Sequence, residues 1–509
     1  MNNSKKKDMR SKILIIVSFC WFILVSCEDW LTVASDTEIA NEQQFQDQQG
    51  FQDAVIGVYL QLTGASLYGQ DLTWGYLELL AQNYELVASS SYKAYFEYDY
   101  EEASVAGTIN SIWAAAYNTI ANINNILKWE TINGGCMNPA IDSLVKGEML
   151  AVRALLHFDL VRMHGKGNLE KHPEYLDELS IPYSTEFKND TPPRYSYGKT
   201  LELIIADLYQ AIAYLEMDPV CGQREESFYD KLYFGGFVSK EAKGRDDRMN
   251  YYATKALLAR VLMWRGREED KQEAYALAKD ICKEKDNGLA FLMYDNYVGD
   301  PLWYKRDVDM YMEWLFAPRV DGLRSLIGNT FSAEKIISTT FYWSKASVWE
   351  RFELPDLDVD YRFRSCLLAE GPALNNYSIL KNRKATEEEM PTVRERTSVI
   401  RLPELYYIMA ECCMTSSELY NREEAVELLN EIRTARSIPA SKMLDANSLS
   451  DAEIINEISK EYRKEFVGEG VQFYYYKRLG IENISGYGEL MTNLQYVIPL
   501  PKSEDNYLK

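Results

Sequence analysis

The side chains best able to do chemistry in this 509-residue sequence are aromatic: 37 Tyr, 10 Trp and 18 Phe. Tyr and Trp suit contact surfaces, because each ring has an apolar body and a polar handle. Two stretches concentrate them outside any helical pattern. Residues 88–100 contain Tyr92, Tyr95, Phe96, Tyr98 and Tyr100; residues 286–350 contain Trp303, Tyr304, Trp314, Tyr342, Trp343 and Trp349 among Gly, Pro and Asp. Ring-bearing loops on a rigid frame are where binding is usually placed. Catalytic patterns, by contrast, fail on inspection. Gly198-Lys199-Thr200 imitates the end of a phosphate loop, but Pro193 stands where the first glycine is needed. Asp356-x-Asp358-x-Asp360 imitates a calcium loop, but its sixth position is Tyr361 and its twelfth Leu367. His157 and His164 lie two helical turns apart, ~10 Å of rise, too far to share an ion. No Gly-x-Ser-x-Gly elbow occurs. Carboxylate pairs are unavoidable among 77 acidic residues, and none is singled out by its surroundings. The expectation is a protein without catalytic residues, cofactor or metal.

Most of the chain reads as helix that would position these loops. Leu402, Leu405, Tyr406, Met409, Ala410 and Cys413 fall on one helical face. Ala253, Ala256, Leu257, Val261 and Trp264 repeat the pattern, as do Ala151, Ala154, Leu155, Phe158 and Val161. Helices pair as 108–129 with 145–164, 251–265 with 271–284, and 401–414 with 422–436. Asn421 is the expected cap of the last, and Ser450-x-x-Glu453 is a capping box opening another. Paired amphipathic helices with small residues at the seam resemble tetratricopeptide repeats, though long insertions break the spacing. Adjacent Cys412 and Cys413 read as small buried hydrophobes. Residues 381–396 are charge-rich and read as an exposed connector.

The N-terminus sets the compartment. Lys5, Lys6, Lys7, Arg10 and Lys12 precede an apolar run from Ile13 to Val25, a secretory pattern too short for a membrane span of ~20 residues. Leu24-Val25-Ser26-Cys27 resembles a bacterial lipobox, in which Cys27 becomes the lipidated first residue. Cleavage there would remove five basic residues and one acidic residue, taking the formal charge from −22 to −26. So acidic a chain does not suit a general nucleic-acid binder, which needs a basic surface to displace phosphate counterions.

A series of segments then resembles the SusD/RagB family of outer-membrane nutrient-binding lipoproteins. Phe51 to Leu60 looks like its first helix. Gly147-Glu148, Ala151, Arg153-Ala154 and Phe158-Asp159-Leu160-Val161-Arg162 follow. Ile181-Pro182, Pro193-Arg194-x-Ser196, Ile205-x-Asp207-Leu208 and Ala256 to Val261 come next in the family's order. Arg401 to Leu405, Leu429-Asn430-x-Ile432-Arg433-x-x-Arg436, Glu461-x-Arg463-Lys464-Glu465-Phe466, Glu469-Gly470, Lys477 to Gly480 and Ile498-Pro499-Leu500-Pro501 complete it. Two stretches depart from the pattern, Val471 to Tyr475 and His164 to Asn168, where altered loops on the same fold are expected.

The resemblance implies a mainly α, SusD-like fold: tetratricopeptide-like helical repeats supporting a second, loop-rich helical lobe. The expected organisation is a signal segment 1–26 and one domain 27–509. Its scaffold covers about 35–285 and 398–480, with the aromatic lobe, about 286–397, inserted. The resemblance also implies a lipid-anchored, palmitate-bearing protein at the outer-membrane surface, and a SusC-like TonB-dependent transporter as partner. The implied cargo is an oligo- or polysaccharide, whose C–H faces would stack on rings. The expected contacts are Tyr92, Tyr95, Tyr98, Trp303, Tyr304, Tyr342 and Trp343, with lipidation at Cys27. Peptide or glycopeptide capture, glycan hydrolysis and a purely protein-binding scaffold are the competing readings. Alanine at Trp303 and Trp343 is expected to weaken glycan binding and to leave melting almost unchanged.

Overall fold

A computed structural model describes residues 41–188, 190–221, 245–283, 309–332, 336–370, 375–379, 381 and 395–506. Cys27, Trp303, Tyr304 and most of the 381–396 connector lie outside them. The chain divides into a short leading unit, residues 1–51, and a main unit, residues 52–509. In the leading unit the Phe45 and Phe51 rings meet at 4.9 Å, and helix α1 (Gln48–Leu62) begins there.

Within the main unit, helices form where apolar spacing and caps agree: α2 (Tyr76–Leu80), α3 (Ala103–Asn133), α4 (Pro139–His164), α5 (Tyr197–Leu215), α6 (Tyr251–Arg265) and α7 (Glu268–Lys283). After an excursion come α8 (Lys345–Phe352), α9 (Pro403–Thr415), α10 (Arg422–Ala435), α11 (Asp451–Glu465) and α12 (Gln472–Leu479). The Asn421 cap and the Ser450–Glu453 capping box both form. α3 and α4 start earlier than the periodicity suggested, because polar caps extend them. Glu102 accepts from the amides of Ser104 and Val105, and Asn138 accepts from Ala140 with Pro139 at the first helical position.

Each scaffold helix packs against the next: α3 on α4, α4 on α5, α5 on α6, α6 on α7, α7 on α9, α9 on α10, and α10 on α11. Successive scaffold helices are thus spatial neighbours. Gly147 shows how close α4 and α5 come, since a Cβ there would lie 2.6 Å from Leu215 Cγ.

The excursion between α7 and α9 holds strands as well as helix. β1 (Leu179–Pro182) and β2 (Arg194–Ser196) form a separate antiparallel pair earlier in the chain. Within the excursion, β3 (Trp314–Phe316) pairs antiparallel with β7 (Ile400–Arg401). β4 (Trp343–Ser344), β5 (Leu367–Glu370) and β6 (Asn376–Ile379) form a three-stranded antiparallel sheet in the order β4-β6-β5. An apolar cluster beneath it joins Trp74, Tyr84, Leu323, Phe331, Phe341 and Trp343. α8 docks on α11, and α12 on α2.

The charged residues that carry the family resemblance are mostly buried in ion pairs. Arg153 holds Asp207 through two bonds of 2.8 Å, and Arg260 clasps Glu404. Glu148 takes Arg245 at 2.7 Å and Arg248 at 2.8 Å. At the junction of excursion and scaffold a single network forms. Glu465 receives Arg401 at 2.6 Å, Arg436 at 2.7 Å and Arg362 at 3.1 Å. Glu313 receives Arg401 and Arg436; Glu461 receives Arg362 and Arg433; Glu469 receives Arg401 and Lys381. Burial alone would raise the pKa of Glu465, but Arg436, Arg401 and Arg362 outweigh it and hold the carboxyl well below its usual range. Lys477, fully enclosed, donates to the carbonyls of Arg162 and Met163 at the end of α4.

The rejected motifs resolve into structure too. Asp360 faces Arg362 while Asp356 points outward toward Lys442, so the three aspartates do not converge. His157 is buried, donating from Nδ1 to Arg153 O and accepting at Nε2 from the Ser184 amide. Burial pushes its pKa down to about 3 and that of His164 to about 4. Cys412 and Cys413 are buried in α9, and burial raises both thiols.

Candidate functional site

The two aromatic stretches, some 250 residues apart in sequence, meet in the folded chain. The Glu85 amide donates to Tyr342 O at 2.9 Å and the Ser91 amide to Ser338 O at 3.0 Å. These bonds bring the segment after α2 alongside β4. Between them opens a cavity of about 440 Å³. Gln82, Asn83 and Glu85 line one side and Trp343, Ser347 and Arg351 another, with Lys93, Phe96, Glu97 and Arg463 at the margin.

Each candidate ring has its own place. Tyr342 is half-buried next to Trp343 and is not among the residues that line the cavity; burial and the Glu85 carboxylate raise its hydroxyl pKa. Tyr92 and Tyr95 are half-buried, edge to face at 5.8 Å, and Tyr92 also meets Phe341 at 5.0 Å. The Tyr95 hydroxyl donates to Ser104 O at 3.1 Å, which turns that ring toward α3. Tyr98 is buried, donating to Leu80 O at 2.7 Å and accepting from Gln82 Nε2. Trp343 is only 4% exposed, and its Nε1 donates to Asn83 O. This corrects the expectation that Trp343 can be lost without affecting melting. Its ring belongs to the apolar cluster, with the Arg351 guanidinium 4.8 Å from its centroid.

Several polar groups around the cavity were not legible as a site. Glu85 accepts from the hydroxyls of Ser344 and Ser347. Arg351 donates to Asn83 Oδ1 at 3.0 Å and to Arg463 O at 2.9 Å. Behind them Glu78 is fully buried. It accepts from Asn83 Nδ2 and from the amides of Gly468 and Gly470, each at 2.9 Å. Burial pushes its pKa up to about 7. Gly470 is required here: its φ is +70°, and a Cβ would lie 2.1 Å from Leu72 O. The only signal for these residues was the Glu469-Gly470 motif, which carries the amide but not its partner.

A larger hollow of about 580 Å³ lies on the scaffold, between α3, α4, α5 and residues 185–188. It contains none of the candidate rings and is bordered by Lys128, Lys146, Lys188 and the Glu130–Lys146 pair. The smaller cavity is lined by three rings, Tyr84, Phe96 and Trp343, of which Trp343 alone was a candidate, and this favours it. Rings there could cover an apolar ligand face while amide, carboxylate and guanidinium groups bond its hydroxyls. Among the described residues no helix is long and apolar enough to cross a membrane.

Comparison with known proteins agrees with this architecture. A model of the SusD family matches residues 369–504, and one described as starch-binding associating with outer membrane matches residues 29–221. The SusD-like protein P25 of Formosa agariphila is 26% identical over 221 residues, 41% of this chain. That alignment spans 38% of the relative's length. A SusD superfamily protein of Bacteroides thetaiotaomicron superposes with a TM-score of 0.64 at 21% identity, covering 90% of this chain and 98% of that one. A SusD-like carbohydrate binding protein of Bacteroides vulgatus gives 0.65 at 17% identity, covering 90% and 96%. These structures share the mainly helical fold.

Proposed function

We propose, from the premise that this chain belongs to the SusD family, that it captures glycans in the cavity between residues 82–97 and 342–351. The observation that carries this reading is the convergence of the two ring-bearing stretches on one cavity edged by hydrogen-bonding groups. Half-buried Phe96 lines the cavity and offers a ring face for stacking, and half-buried Tyr342 adjoins its wall residue Trp343. Trp303 and Tyr304 belong to the same proposed set. By analogy with base stacking each ring contributes ~1–3 kcal/mol. Two or three give micromolar to millimolar binding, weak enough for release.

In this reading the protein breaks no bond. It is secreted, tethered through lipidated Cys27 at the outer-membrane surface, and passes its cargo to a TonB-dependent barrel. Tethering raises the cargo's effective concentration at the barrel mouth. The matched family's description as starch-binding and the Bacteroides vulgatus protein's as carbohydrate binding support this choice of cargo.

Electrophoresis of the full chain through gels containing different polysaccharides tests it, with a reducing-end assay on the same pairs. Retardation by at least one polysaccharide without new reducing ends is expected. Retardation by none, or measurable cleavage, would overturn the reading; retention of peptides instead would move the cargo to another class.

A further inference from the structure

Resting on that reading, we infer that the cavity selects glycans bearing an oxyanion, a uronate carboxylate or a sulfate ester, through Arg351 with Arg463 beside it. Most charges around the cavity already have partners. Lys93 pairs with Glu97 at 3.4 Å, and Arg463 with Glu350 at 2.7 Å. Glu85 is occupied by two serine hydroxyls. Arg351 is different. It is 94% buried, it borders the cavity, and among the described residues no carboxylate lies within ion-pair distance of it. Its two protein acceptors are both neutral, the Arg463 carbonyl and the Asn83 side-chain oxygen.

A guanidinium carries five N–H donors in a flat fork, a shape that matches carboxylate and sulfate oxygens. Here its bonds to the Arg463 carbonyl and the Asn83 side chain, with the Trp343 ring against it, fix the fork in place. Burial, and then the neighbouring Arg463 cation, work against its charge, yet it stays a cation at neutral pH. The Glu78 and Glu350 carboxylates act on it only from beyond ion-pair distance, and a buried cation beside a second cation, with no carboxylate bonded to it, is costly. An oxyanion on the ligand removes that cost, whereas a neutral sugar leaves it in place. The chain as a whole is strongly acidic, so attraction to an anionic glycan must be local, and Arg351 supplies it.

The experiment uses pairs of ligands that differ only in the oxyanion. Polygalacturonate is compared with its methyl ester, and a sulfated fucan with its desulfated form, by affinity electrophoresis and titration calorimetry of the full chain. The acidic member of at least one pair should bind tenfold or more tightly, with the advantage shrinking as salt rises. Which pair shows it distinguishes carboxylate from sulfate. Arg351→Gln should abolish the advantage; Arg463→Gln, at a more exposed position, should reduce it with melting unchanged and so serves if Arg351→Gln misfolds. Equal binding of acidic and neutral members would overturn the inference and leave glycan capture standing. Binding of no glycan at all would overturn both.

Discussion

Replacing Glu465 by alanine should cost about 3–5 kcal/mol of folding stability, a large part of the 5–15 kcal/mol that holds a typical domain. Glu465 is the shared anion of Arg401, Arg436 and Arg362. Removing it leaves three buried guanidiniums with too few partners, and a stranded buried charge is far more costly than the intact pair is favourable. Urea titration measures the effect, with exposed Glu427→Ala as control. A midpoint no lower than that of the control would mean the network is not what joins excursion to scaffold.

The same network gives the protein an acid limit. Glu461 and Glu465 have pKa values lowered by their guanidinium partners against the effect of burial. Their folded pKa lies below the unfolded one, so their stabilisation is present above the ordinary glutamate pKa of about 4.3. It is lost as pH falls below that value. His157 and His164, held down at about 3 and about 4 by burial, also favour the unfolded state as pH drops below about 6.5. Glu78 and Asp71 act oppositely: burial raises each to about 7, so protonating them between about pH 7 and 4 favours the folded state. Two groups of each sign roughly cancel. Stability should therefore change little from pH 7 to about 4.5 and fall steeply below.

The second large effect is expected at Trp343→Ala. Emptying a buried tryptophan site costs about 3–5 kcal/mol. The loss also frees Asn83 O, which accepts from the indole, and removes the ring under Arg351. Melting and glycan binding should fall together, measured by thermal unfolding and calorimetry on one preparation. Loss of binding with unchanged melting would place the ring on the surface after all.

These residues also mark how much could be read from the sequence. Helices were legible because apolar spacing and caps such as Asn421 and Ser450 are local signals. The strands of the excursion are two to four residues long, too short to leave a period. The family's charged residues were legible as a pattern but not as a network, because partners such as Glu313 and Arg436 lie 123 residues apart. At the candidate site, the two stretches were identifiable by their rings. Which ring would face outward was not: Trp343 and Tyr98 are buried while Phe96 and Tyr342 are half-exposed, a difference set by long-range packing. Arg351 gave no signal at all, since its environment comes from Asn83 and Arg463, both distant in the chain.

The most direct test of reversible glycan capture in this cavity is calorimetric titration with an oligosaccharide prepared from a retarding polysaccharide, using wild type and Phe96→Ala. Wild type should bind in the micromolar to millimolar range. Phe96→Ala should bind roughly 5- to 150-fold more weakly, from the loss of ~1–3 kcal/mol of stacking, with melting unchanged and the oligosaccharide recovered at its original length. Equal affinity in the two proteins, or recovery of shortened sugar, would contradict it.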